Sequence, residues 1–405
     1  MLHKILTGRF TGVPIFATIM MLVFYMTFNV FGKFLSEALT VIIDKAVTSL
    51  DIALVNIGAD RILHALIIDG ICAGVGSVLS FVPIIGVLFF FLSLLEETGY
   101  LPNVAAMLDR PMMKIGLSGR CVVPLVMGFG CNVPAILAAG SIFPYRQRIR
   151  TIFMIPFMSC SAKLPIYSML TAAFFRENRV WIMAAVYSAG ILTAIIYAVI
   201  FKFLSGIHRG APPYGSPQRY HKSSSYKIPS FKTIAGVVFD NVSGFIRKAF
   251  TVIFAASVII WALQSFNCDL HPVSDGSESI LASMGRCISP VFAPIGFGEW
   301  QAASAIIAGI SAKEAVVSTF AVLSQSAQGG SSFDLLIQIF SPAGAFSFMI
   351  FCLLYIPCIA TLTAVKKQTG SWKYSLIMVI LQLIYAWCFS FIVYQISAKI
   401  YILFI

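Results

Sequence analysis

Residues 116–167 read GLSGRCVVPLVMGFGCNVPAILAAGSIFPYRQRIRTIFMIPFMSCSAKLPIY, and the fold turns on how this stretch is read. It is mostly apolar, yet it carries Pro124, Pro134, Pro156 and Pro165, a GFGCN turn at 128–132 and the polar run Ser159-Cys160-Ser161. Each proline removes a backbone donor and leaves a carbonyl without its helical partner. In lipid such groups are tolerated only where protein or a water-filled cavity satisfies them. Two broken apolar segments in succession, each with a cysteine at its break, predict a binding site near the membrane midplane.

Composition fits that reading. Of 405 residues, 59% are hydrophobic and only 11% charged, and the mean hydropathy is +0.91. A soluble chain of this length needs far more polar surface. The apolar runs are continuous over about 20 residues rather than alternating over about 10, which excludes a β-barrel. The expected class is an all-α polytopic membrane protein with two inverted repeats of broken or re-entrant helices. The net charge of +12 lies in short loops beside apolar segments, as the positive-inside rule requires, so no nucleic-acid partner is expected. Lys4 and Arg9 precede an apolar run from Val13 to Phe34. That run is too long for a signal peptide and reads as a first span with a cytoplasmic N-terminus. The nine cysteines make no disulfide framework; only Cys268 and Cys287, in a polar loop, are placed to pair if that loop is extracytoplasmic.

In order, residues 1–35 form the first span and 36–204 a first repeat. The repeat opens with an amphipathic interfacial segment over 36–69, carrying Glu37, Asp44, Asp51, Asp60 and Asp69. A span from Ile71 to Leu95, kinked at Pro83, ends in Glu96-Glu97 and leads to a loop with Asp109, Arg110 and Lys114. The broken segment 121–139, a basic turn with Arg146, Arg148 and Arg150, a broken span at 151–175 and a plain span at 180–204 follow. Residues 205–232 are a basic cytoplasmic linker. The second repeat, 233–405, has a span at 246–266 and a polar loop over 267–299 with Asp269, Asp275 and Glu278. Next come a glycine-interrupted segment at 301–320, a span at 345–365 broken at YIPCIAT (355–361), and a plain span at 374–396. With 121–139 and 301–320 as re-entrant hairpins, all basic loops face the cytoplasm and the acidic ones face out. Seven spans result; eight or nine remain open, because hydropathy does not separate hairpins from spans.

The residues GLSGR (116–120), GFGCNVPAI (128–136) and PFMSCSAKLPIY (156–167) resemble the first gate motif of the ferrous iron transport protein B (FeoB) family. LEETGYLPNVAAMLDRPMMKIGLSGR (95–120), GFGEWQAASAIIAGISAKEAVVST (296–319) and KILTGRFTGVPIF (4–16) are similar to the same family. The resemblance runs in order along nearly the whole chain and implies two gate repeats in a bacterial inner membrane. It implies Fe²⁺ carried into the cytoplasm as transported substrate, with the lipid bilayer, a separate G-domain protein and small accessory Feo proteins as partners, and it leaves room for a homo-oligomer. Family members usually begin with a G domain, which needs a G-x-x-x-x-G-K-[ST] phosphate loop. This sequence has no such stretch, so no bound nucleotide and no GTPase activity is expected of it, and it is not read as an enzyme.

Cys131, Cys160 and Cys358 stand at three of the breaks. Thiolates suit Fe²⁺ and other borderline or soft divalent metals, and these three are the candidate metal ligands; as simple packing they would be small apolar fillers. Asn132, Pro134, Ser159, Ser161, Ser311, Pro357 and Thr361 join them as pore or gate residues. Lys163, Lys313 and Glu314 are ionisable groups in or near apolar segments, where they face a cavity or a partner unless the lysines snorkel to an interface. Lys163 is expected to hold a carbonyl or a carboxylate such as Glu314. Glu96, Glu97 and Asp109 are candidates for recruiting cations at the pore mouth. Two rival functions stand beside iron: a nucleoside or other small-solute transporter of gate-repeat type, and a non-transporting membrane scaffold or sensor. The first would show aromatic stacking and amide readout rather than clustered thiols; the second would need no polar breaks at the midplane.

Overall fold

The structure, a computed structural model, describes residues 11–58, 60–204, 229–248, 254–269, 271–273, 276–326 and 332–404. Its regular elements are helices, with one isolated β-bridge between Phe266 and Pro272. Six helices are long and apolar enough to cross a membrane, or seven if one bent pair counts as a span. The chain is an all-α, multi-pass membrane protein.

The first helix, α1 (Gly12–Ile57), is continuous over 46 residues, roughly 69 Å at about 1.5 Å per residue. The helix expected over 36–69 is, up to residue 57, continuous with the first span rather than separate from it, so the boundary drawn at residue 35 falls inside a helix. The run from Lys33 to Ile57 holds neither glycine nor proline, so nothing ends the helix. Glu37, Asp44 and Asp51 recur every seventh residue and form one polar stripe. A π-helical turn at Met26–Phe31 lies within α1, and Gly58, at φ 71°, caps it in the left-handed region.

The second helix, α2 (Leu63–Glu97), contains Pro83 and packs against α1. His64 Nε2 lies 2.6 Å from Asp51 Oδ1, tying its start to the end of α1. Residues 100–114, expected as loop, are a helix, α3 (Tyr100–Lys114), whose apolar side is buried at Tyr100, Leu101, Val104 and Ala105. The two broken segments then appear as α4 (Val122–Met127) with α5 (Asn132–Ala139), and α6 (Tyr145–Met154) with α7 (Leu164–Phe174). The arginines expected in a turn occupy the first part of α6. Arg150 is buried there, and its Nη1 donates to Gly116 O at 3.2 Å.

After α8 (Arg179–Leu204), residues 205–228 of the expected linker lie outside the described residues. So do 249–253, between α9 (Phe231–Lys248) and α10 (Phe254–Ser265), and Asp275. The 267–299 stretch, expected as loop, holds α11 (Ile280–Phe292), started by Ser279, whose Oγ accepts from Ala282 N at 3.1 Å. The segment Ile280–Ile295 meets α12 (Trp300–Ala308) at 106°. The remaining helices are α13 (Ala315–Ser326), α14 (Ser332–Ile339), α15 (Pro342–Leu354), α16 (Ile359–Thr369) and α17 (Trp372–Phe404). Cys268 and Cys287, the pair expected to bridge if exported, are free, exposed thiols.

The chain divides into two compact units that do not follow the two sequence repeats. One comprises Met1–Ile155 with Ile195–Phe254, the other Pro156–Ala194 with Ala255–Ile405. In the first, α2 packs on both α1 and α9. In the second, Phe292, Phe297, Phe320, Phe340, Phe348 and Phe351 form one aromatic cluster, with centroids 5.0–6.0 Å apart. Such pairs contribute about 0.5–1.5 kcal/mol each beyond their area, enough to hold α15 rigidly while its C-terminal end is broken.

Candidate functional site

The three candidate cysteines share one local design: each is an extended residue placed just before a helix resumes. Cys131 (φ −152°, ψ 131°) precedes α5, Cys160 (φ −71°, ψ 160°) precedes the turn into α7, and Cys358 (φ −60°, ψ 155°) precedes α16. Extended backbone here follows from the sequence, because an upstream proline or glycine has already ended the preceding helix.

Cys131 lies in the first unit, in a turn pressed against the neighbouring helices. A Cβ on Gly130 would lie 2.9 Å from Leu88 and 3.4 Å from Phe24, so the turn approaches α1 and α2 as closely as it does only because that residue has no side chain. Asn132 is 6% exposed, and its Oδ1 has no hydrogen-bond partner among the described residues. A buried amide oxygen without a donor beside a thiol is an acceptor still available to a cation. Pro134 is buried in α5. Glu96 and Glu97 are exposed at the end of α2. Asp109 differs: its Oδ1 accepts the Gly119 N–H at 2.8 Å, fastening α3 to the turn before α4.

The second unit brings together Cys160, Cys358, Lys163, Lys313 and Cys352, which lie within electrostatic range of one another. The organising feature is the end of α15. Pro357 has no N–H, so Leu353 O loses the partner that residue 357 would supply in a continuing helix. Lys163 supplies it instead. Its side chain is 1% exposed, and Nζ donates to Leu353 O at 2.7 Å and to Pro156 O at 3.2 Å. Lys313, 3% exposed, donates to Ile356 O at 2.5 Å and stands 3.2 Å from the centre of the Tyr355 ring. Positive charge at a helix C-terminus and over an aromatic face is favourable on both counts.

The other expected residues arrange themselves around these two lysines. Ser159 Oγ donates to Tyr167 Oη at 3.3 Å, and Cys358 Sγ lies 3.2 Å from Thr361 Oγ1. Ser311 Oγ donates to Ala308 O at 2.7 Å, closing the end of α12. Ser161 is half-buried beside Cys160, and Pro357 is buried. Glu314 is partly buried. Among the described residues it makes no ion pair with Lys163; the ion pairs there are Lys33–Glu37 and His64–Asp51. Of the two partners expected for Lys163, the carbonyl is the one found.

Among the described residues, no three His, Cys, Asp or Glu side chains gather as a closed metal cluster. Sequence reasoning passed over Tyr355, Cys352 and Gly309. A Cβ at Gly309 would overlap Tyr355 Oη and a Val316 methyl, so the α12–α13 turn and the α15 break fit only with glycine there. The signal was present: Ser-Ala-Lys occurs at 161–163 and again at 311–313, each time inside a broken apolar segment.

A family model described as Gate, nucleoside recognition, matches residues 78–174 and 246–372. The chain is similar to the Fe(2+) transporter FeoB of Staphylococcus aureus (strain MSSA476), with 40% identity over 399 residues, 98% of this chain and 59% of that protein. It is 34% identical over 400 residues to the Fe(2+) transporter FeoB of Methanocaldococcus jannaschii, covering 97% of this chain and 58% of that one. A Fe(2+) transport protein A/Fe(2+) transporter FeoB fusion protein of Porphyromonas gingivalis is 31% identical over 451 residues, 98% of this chain and 51% of the relative. The chain thus spans between half and two thirds of the length of these relatives. No solved structure matches it.

Proposed function

The chain belongs to the Gate family of nucleoside-recognition domains, and we propose that it carries Fe²⁺ across a bacterial inner membrane into the cytoplasm. The observation that carries this reading is the 40% identity, over 98% of the chain, to a protein named as a Fe(2+) transporter. The chemistry of the breaks agrees with it. Cys131, Cys160 and Cys358 offer soft sulfur ligands at breaks where backbone oxygens also open from the helices, and Asn132 adds an amide oxygen without a donor among the described residues. Transport needs ligands that release as well as bind, so sulfur positions spread over several breaks suit a path better than a closed four-ligand site.

In this scheme Glu96 and Glu97, exposed at the end of α2, raise the local cation concentration. The N-terminus is cytoplasmic, and the two gate repeats, 36–204 and 233–405, have opposite orientation. A G domain biases the gate, and an accessory protein of the A type is a further partner, in keeping with the fused relative. The nucleoside in the family's description is the second reading, and it predicts uptake of nucleoside rather than metal.

The test is Fe²⁺ influx into liposomes holding this chain, against Cys131→Ser and Cys160→Ser. Influx that falls about tenfold or more in both folded variants supports the thiol path; influx equal in all three removes the cysteines from it.

A further inference from the structure

The carbonyls at the end of α15 are where a permeating cation would find oxygen ligands, and in this structure they hold side-chain amines. Lys163 occupies Leu353 O and Pro156 O, and Lys313 occupies Ile356 O and the face of Tyr355. The two arrive from different breaks, the α6–α7 turn and the α12–α13 turn, on the same tripeptide Ser-Ala-Lys. Neither is paired with a carboxylate among the described residues. Buried lysines of structural type are normally paired; these are held by dipoles alone, the environment that also binds ions in discontinuous membrane helices.

We propose that Lys163 and Lys313 are tethered cations that close the gate by occupying the carbonyl cage of Leu353, Ile356 and Pro156, so that a permeating divalent cation and the lysine side chains compete for the same oxygens. The inference rests on the cation-transport reading above and deepens it: the breaks contain an oxygen site for the ion, beside the thiols of Cys160 and Cys358, and that site is filled when the gate is shut. Three consequences are built in. The closed state repels free divalent cations, because like charges a few ångströms apart in a low-dielectric interior repel strongly. It gives Leu353 O, the carbonyl that Pro357 leaves without a donor, a partner. And opening requires only that two flexible side chains withdraw, while α15 stays clamped in its aromatic cluster.

The test uses the 405-residue chain in detergent micelles and Mn²⁺, which prefers oxygen ligands over thiolates and is counted by electron paramagnetic resonance. Lys163→Gln and Lys313→Gln keep an N–H donor for the carbonyls and remove the charge; Lys163→Met and Lys313→Met remove both. Mn²⁺ binding on the order of tenfold tighter in the neutral variants, and tighter again in the double variant, is the expected result. Unchanged or weaker Mn²⁺ binding in the monodisperse neutral variants overturns the proposal. A second measurement needs no substitution: saturating Mn²⁺ should raise acylation of Lys163 and Lys313 by an amine-reactive reagent, read by mass spectrometry. Constant labelling would count against competition for the oxygens. Fe²⁺ flux on the same proteins separates the two claims. Tighter Mn²⁺ binding with faster Fe²⁺ leak supports both; tighter Mn²⁺ binding with no Fe²⁺ flux in any variant keeps the cage and removes iron transport.

Discussion

Asp109 allows a structural role and a transport role to be told apart. Its Oδ1 accepts the Gly119 N–H at 2.8 Å, and Gly119 sits so close to α3 that even a Cβ there would overlap Ala105 O. The carboxylate therefore closes a contact between α3 and the turn leading into α4. Asp109→Ala removes a charged acceptor, itself half-buried, and leaves the N–H of buried Gly119 without one. Hydrogen bonds to charged groups contribute about 1.5–3 kcal/mol, and the lower end applies to this half-exposed position. A loss of about 2 kcal/mol lowers the unfolding midpoint of a unit of this size by roughly 4–8 °C. Asp109→Asn keeps an acceptor oxygen and should lose less than half of that. The assay is thermal unfolding in detergent followed by far-ultraviolet circular dichroism and by the monodisperse fraction, alongside Fe²⁺ influx for each protein. If Asp109→Ala keeps the parent midpoint while influx drops, and Asp109→Asn drops equally, the residue recruits cations by its charge and the capping argument is refuted.

Three further substitutions follow from close approaches and caps. Gly119→Ala drives a methyl into the backbone of α3 at Ala105 and should cost at least the roughly 1–3 kcal/mol of an overpacked core, read as a lowered midpoint. Gly309→Ala pushes on Tyr355 Oη and Val316; it should destabilise by a similar amount, about 1–3 kcal/mol, read as an earlier change in tryptophan fluorescence on heating, since all five tryptophans lie in the second unit. Ser279→Ala removes the cap on α11 and should cost about 1 kcal/mol, with Fe²⁺ influx unchanged.

The breaks were legible in the sequence because proline and glycine act locally: a missing N–H at Pro156 or Pro357 is a missing N–H in any surroundings. The cysteine at each break was legible for the same reason. What misled was polarity taken as a sign of loop. Residues 100–114 and 280–292 carry charges yet form helices, since one face of each is apolar and buried at Leu101, Val104, Leu281 and Ala282. Along α1, acids at every seventh position looked interfacial, although nothing between Lys33 and Ile57 could stop a helix. The partner of Lys163 was half legible. Pro357 announces that Leu353 O lacks a donor, but only the folded chain brings residue 163 to within 2.7 Å of residue 353.

The interleaving of the two units bears on how the chain is made. Residues 156–194 leave the ribosome early but belong with 255–405, so the second unit is begun before the first is complete and stays unfinished until the end of the chain. At about 5–20 residues per second, α7 waits several to tens of seconds for α15. Until then Lys163 is in the bilayer without Leu353, its 2.7 Å acceptor. During that interval the insertion machinery, lipid headgroups or penetrating water must shelter an ammonium that the finished protein shelters with its own backbone. A cut in the 205–232 stretch would make the wait permanent for the N-terminal fragment, so the two sequence repeats, alike as they are in pattern, are not separable as working parts.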